Sequence, residues 1–241
     1  MIKKTKGILF ILLLGSSLLH AVDPLIVGTN SEFPPFIYLE NKTLVGFDID
    51  IAKEVAIRLD KKIQFKDMPF DALIPEIILG HVDFVAAGMS YTKERATRVL
   101  FTKPYLAEDP LVIFTTSKQL LSLENLKGKN VVVVEGYTSD LLMTSQEGVN
   151  LTRLPTQSDA FMAIKSGRAD AFVTAKSTAD VFLKNQDASL FYITPIVGTG
   201  ETCVLVVPKS KPQMLVDVQK ALDSMESDGT LAKIKTKWKF Q

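Results

Sequence analysis

The chain is poor in the residues that carry metal and nucleophilic chemistry. It holds one cysteine, Cys203, and two histidines, His20 and His81. One cysteine excludes an internal disulfide, and so few Cys and His exclude zinc clusters and Cys/His catalysis. The phosphate-binding G-x-x-x-x-G-K-[ST] loop, the G-x-S-x-G elbow and the H-E-x-x-H helix are all missing. Gly198-Thr199-Gly200 lacks the strand-turn-helix context of a dinucleotide fingerprint. No cofactor is expected. Charge of one sign is lacking too, with 28 basic against 27 acidic residues over 241 positions, so nothing provides an electrostatic footprint for nucleic acid. After the first 22 residues no apolar run approaches the ~20 positions a membrane span requires.

What is present begins with an export signal. Lys3, Lys4 and Lys6 precede the apolar run Ile8 to Leu14 and a stretch of smaller residues reaching Ala21, the order of a cleavable signal peptide over residues 1–22. No cysteine stands at the processing site to carry a lipid, so the expected product is free in the periplasm. The remaining chain, 46% hydrophobic over the whole sequence, is long enough for one large domain or two small ones.

Short apolar runs then alternate with stretches of helical period, the pattern of an α/β protein. Ile26-Val27 and Val131 to Val134 read as strands running into Gly28 and Gly136. Ile51, Ala52, Val55, Ala56 and Leu59 share one face of a helix opened by Asp48. One unit occurs twice: a helix, a glycine, two residues, an aspartate and a strand, at Gly80 to Asp83 and again at Gly167 to Asp170. A glycine in the left-handed conformation stops each helix and a buried parallel strand follows. This predicts two lobes of similar construction, with lobe 1 formed by 23–108 and 199–241 and lobe 2 by 109–198. Two crossings near Asp109 and Gly198 would make a hinge.

Several blocks point further. Gly28-Thr29 with Phe33-Pro34-Pro35-Phe36, Gly46 to Ile51, Phe70 to Pro75, Ala87 to Arg95, Phe101 to Tyr105, Leu126 to Lys129, Gly167 to Asp170 and Asp228 to Trp238 stand in this order along the chain. Together they resemble the extracellular solute-binding family that serves polar amino-acid ABC importers, and look most like its arginine-binding members. The resemblance implies a two-lobed α/β fold that closes on one free amino acid without chemistry and delivers it to a membrane permease, as a monomer.

The resemblance also implies a site. Arg95 would grip the ligand's α-carboxylate, helped by the hydroxyl of Ser90 and by Thr138, while the Gly88 carbonyl and Asp170 in lobe 2 would take the α-ammonium. A planar guanidinium offers paired donors to a carboxylate, and a buried zwitterion needs a partner at each end. Asp83, in the same local setting as Asp170, is assigned a structural role. Phe33 and Phe70 would sandwich the side chain, with Asn30 and Glu32, or Glu135 from lobe 2, receiving its N–H groups. Two stacked faces suit a guanidinium, which puts arginine first and lysine or ornithine behind it. The alternatives are a glutamine or other neutral polar ligand, a periplasmic dehydratase of prephenate-like acids built on the same fold, and the sensor module of a receptor.

Overall fold

The computed structural model describes residues 23–184 and 186–240, so the expected signal peptide lies outside the described residues. The chain opens with β1 (Leu25–Thr29), followed by the three short strands β2 (Glu32–Phe33), β3 (Ile37–Glu40) and β4 (Thr43–Val45). Helix α1 (Phe47–Arg58) buries Ile51, Ala52, Val55 and Ala56, the apolar face expected from their spacing. Then come β5 (Ile63–Asp67), α2 (Leu73–Ile78), β6 (Phe84–Val85), α3 (Lys93–Ala96) and β7 (Val99–Phe101). The strand β8 (Leu106–Asp109) leads to β9 (Leu111–Thr115), β10 (Asn130–Val134), α4 (Thr138–Thr144), β11 (Asn150–Leu154), α5 (Gln157–Lys165), β12 (Ala171–Ala175), α6 (Lys176–Leu183) and β13 (Tyr192–Pro195). The return runs through β14 (Glu201–Cys203) and β15 (Val206–Pro208) to the helices α7 (Pro212–Ser227) and α8 (Thr230–Trp238).

Two five-stranded sheets result, each the floor of one lobe. Their orders are β5-β1-β6-β15-β7 and β11-β10-β12-β9-β13. In both, three parallel strands are followed by an antiparallel neighbour: β1 runs parallel to β5 and β6, and β10 parallel to β11 and β12, whereas β15 and β9 run against them. The repeated glycine-aspartate unit closes this likeness at the atomic level. Gly80 and Gly167 take φ of 79° and 69° just past α2 and α5, the left-handed turn only glycine adopts without strain. Asp83 and Asp170 then hold the neighbouring parallel strand in the same way, through Ile26 N–H at 2.9 Å and Asn130 N–H at 2.8 Å.

Strands β8 and β14 pair antiparallel, with Glu201 opposite Asp109, where the chain crosses between the two sheets. Helices α7 and α8 pack on lobe 1. Arg58 of α1 pairs with Asp228 at 2.8 Å, and Trp238 Nε1 donates to Asp50 at 2.7 Å.

Candidate functional site

In open α/β sheets ligands bind beyond the carboxyl ends of the parallel strands. In lobe 1 those ends carry Asn30 after β1 and Gly88 to Ser90 after β6, and in lobe 2 they carry Gly136 to Thr138 after β10. The two lobes meet there.

Arg95 is buried at this seam. Thr92 caps its short helix by accepting the Arg95 N–H at 3.1 Å. The guanidinium donates from Nη1 to the Ser90 carbonyl and from Nη2 to the Gly136 carbonyl, both at 2.8 Å, and so ties lobe 1 to lobe 2. Its Cζ lies 5.4 Å from the Phe70 ring centroid. Burial pulls the Arg95 pKa down, while Glu201 and Glu94 oppose the shift.

Two hydroxyls expected at the site are buried there without a hydrogen-bond partner among the described residues: Ser90 Oγ and Thr138 Oγ1. A buried unpaired hydroxyl costs free energy, so it is a standing offer to an incoming polar group. Gly88 takes φ of +59°, and a Cβ there would come within 2.5 Å of the Phe33 ring, so the loop delivering Ser90 passes this ring only because the residue is glycine. Asp48 fixes the same loop by accepting the Gly88 N–H at 2.5 Å. Burial pushes the Asp48 carboxyl up to about 7, against the pull of that bond.

The remaining expectations fare differently. Phe33 and Phe70 are both buried at the seam, but Tyr137 lies against both rings, at centroid distances of 5.3 and 4.4 Å. Asn30 is buried, donating to the Met68 carbonyl at 3.0 Å and accepting from the Tyr137 hydroxyl at 3.0 Å. Glu32 is half-buried on β2, its carboxyl pushed up by burial and by Asp67 and Asp159. Glu135 is exposed.

Asp170 does not join the site. Its carboxylate is bound to the Asn130 N–H at the start of β10, whereas Gly136 and Thr138 lie beyond the end of that strand. Five residues of strand separate the two by on the order of 13 Å. The unit that contains Asp170 is the one that contains Asp83, and identical local geometry gives both aspartates the same structural role.

Glu201 and Tyr137 had no assigned role. Glu201 stands on the crossing strand β14, with Asp109 opposite it and Arg95 among the charges it feels. The residue is half-buried, and loss of solvent around its carboxyl raises the pKa to about 8, Asp109 adding to the rise and Arg95 opposing it. Its position directly after Gly198-Thr199-Gly200, at the expected second crossing, was the available signal. Among the described residues no group of three or more His, Cys, Asp or Glu could hold a metal ion.

This arrangement meets its counterparts among known proteins. The model of the bacterial extracellular solute-binding proteins, family 3, matches residues 25–241. The chain belongs to that family. It is a binding protein and not an enzyme, with the two-lobed fold of its structural neighbours. The arginine-binding extracellular protein ArtP of Bacillus subtilis (strain 168) is 30% identical over 217 residues, covering 89% of this chain and 85% of that protein. A solved ancestral arginine-binding protein bound to arginine superposes with a TM-score of 0.86 at 40% identity, covering 91% of this chain and 99% of the other. A solved ancestral arginine-binding protein bound to glutamine gives 0.85 at 39%, with the same coverage.

Proposed function

We propose that this chain is the periplasmic substrate-binding component of an ABC importer, exported by its signal peptide, acting as a monomer and passing a free basic amino acid to a membrane permease. Arginine comes first, with lysine or ornithine behind it. One observation carries this: a buried arginine between the lobes, flanked by the unpaired hydroxyls Ser90 Oγ and Thr138 Oγ1. Two of the five guanidinium N–H groups of Arg95 are engaged by Ser90 and Gly136, so donors remain for a carboxylate. The arginine-binding relatives support the side-chain assignment.

In place of Asp170, Glu201 serves the ligand's α-ammonium. It is the carboxylate whose electrostatic neighbours include both Arg95 and the hinge residue Asp109, and among the described residues it makes no salt bridge. A cation beside these two half-buried carboxylates relieves their mutual repulsion.

A second reading takes glutamine as ligand. It is favoured by the neutral Asn30 in the side-chain compartment and by the relative solved with glutamine. A thermal-shift panel of the common amino acids separates the two, since a ligand at 100 times its Kd stabilises the fold by ~2.7 kcal/mol. Arginine is expected to give the largest shift. A larger shift with glutamine would transfer the assignment to the neutral ligand, and no shift with any amino acid would remove both.

A further inference from the structure

Tyr137 precedes α4 in lobe 2, and its side chain reaches across the seam into lobe 1. The ring meets Phe33 edge-on, at 5.3 Å between centroids and 72° between planes, and lies 4.4 Å from the centroid of Phe70. The hydroxyl donates to Asn30 Oδ1 at 3.0 Å, in a buried contact. Asn30 is aimed for this contact, because its Nδ2 is already committed to the Met68 carbonyl. The side chain therefore fills the compartment bounded by Phe33, Phe70 and Asn30, where a guanidinium would stack and donate. Packed interiors leave no room for two occupants.

We propose that Tyr137 is a tethered competitor for the ligand's side chain, setting the selectivity of the cleft by penalising long side chains relative to short ones. The proposal rests on the reading of the cleft as an amino-acid site. A long side chain enters only when the Tyr137 ring turns out, so its apparent affinity is reduced by the fraction of molecules in which the compartment is open. A short side chain such as that of serine leaves the ring in place. It also profits from the lobe closure the ring supports, alongside the Arg95 bond to the Gly136 carbonyl and the Thr178 hydroxyl bond to the Pro34 carbonyl at 3.2 Å.

A guanidinium is suited to evict the tyrosine. It is flat, it stacks on aromatic faces as a cation, and its N–H groups can replace the phenol as donor to Asn30 Oδ1. An ammonium on a flexible chain supplies the donor without the flat face.

Calorimetry with arginine and with serine on the wild type, Tyr137→Ala and Tyr137→Phe tests this. The ratio of arginine to serine affinity is expected to rise at least tenfold in Tyr137→Ala, and by less in Tyr137→Phe, which keeps the ring and loses only the bond to Asn30. A ratio that is unchanged or lower overturns the competitor, and Tyr137→Phe decides the matter if the alanine variant fails to fold. Small-angle scattering of the free proteins gives an independent reading. A larger radius of gyration for Tyr137→Ala than for the wild type supports a ring that fills the compartment and holds the lobes together, and equal radii count against it. If neither amino acid binds wild type or variant, the amino-acid reading falls and the competitor with it. A wrong-signed change of ratio removes the competitor alone.

Discussion

Arg95 donates to one carbonyl from each lobe, so the residue assigned to the ligand is also part of the joint between the lobes. If Arg95 holds the ligand as proposed, one side chain couples occupancy to closure. Asp170 carries a complementary lesson. Its carboxylate holds the start of β10, so Asp170→Ala is expected to cost about 1–2 kcal/mol of stability while leaving amino-acid affinity unchanged. Thermal melts beside calorimetry check this, and a tenfold loss of affinity at unchanged stability would return Asp170 to the site. Glu201 predicts a proton. With its carboxyl raised to about 8 it is mostly protonated at pH 7, and a ligand ammonium beside it favours the ionised form. Binding at pH 7 should therefore release a proton, seen as a binding enthalpy that varies with the ionisation enthalpy of the buffer, and Glu201→Gln should abolish that variation. A buffer-independent enthalpy in the wild type would place the ammonium elsewhere.

At the scale of elements, α1 and the loop after β6 are joined by Asp48, read from the sequence as a helix-start residue. It does sit in the first turn, and it is fully buried there as the acceptor for Gly88 N–H. Its pKa is raised from the ordinary 3.8 to about 7, so its contribution to stability is fully present below the unfolded value and is lost as pH rises through about 7. Asp48→Asn keeps an acceptor for Gly88 and removes the titration. The decline in melting temperature between pH 5 and 8 should shrink in this variant, and an undiminished decline would assign it wholly to other groups. Glu201, raised from 4.5 to about 8, acts in the same direction over much the same range, so the slope should shrink without vanishing. Much of this layer was legible in the sequence. The spacing of Ile51, Val55 and Ala56 gives α1, and the paired glycine-aspartate units give two like sheets, because period and turn chemistry are local. The site was legible only in part. Arg95, Ser90 and Thr138 come to the seam because they follow strand ends, but nothing local told Asp170 from Asp83, and the reach of Tyr137 across to Asn30 spans 107 positions of sequence.

For the whole molecule, two lobes built alike face each other with their strand ends, and the groups at the seam suit one small zwitterion. In the proposed reading Arg95 with Ser90 and Thr138 offers donors to a carboxylate, Glu201 answers an ammonium, and a side chain contends with Tyr137 for the space bounded by Phe33, Phe70 and Asn30. Such a cleft responds to its ligand as a whole, because a molecule touching both lobes stabilises the form in which they meet. The central claim is that Arg95 anchors a free amino acid between them. Titration calorimetry of arginine against wild type and Arg95→Ala tests it most directly. Removing one partner of a buried charged pair costs ~3–5 kcal/mol, so the variant should bind two to three and a half decades more weakly while keeping the wild-type circular dichroism spectrum. Affinity for arginine within threefold of wild type in Arg95→Ala would contradict the account.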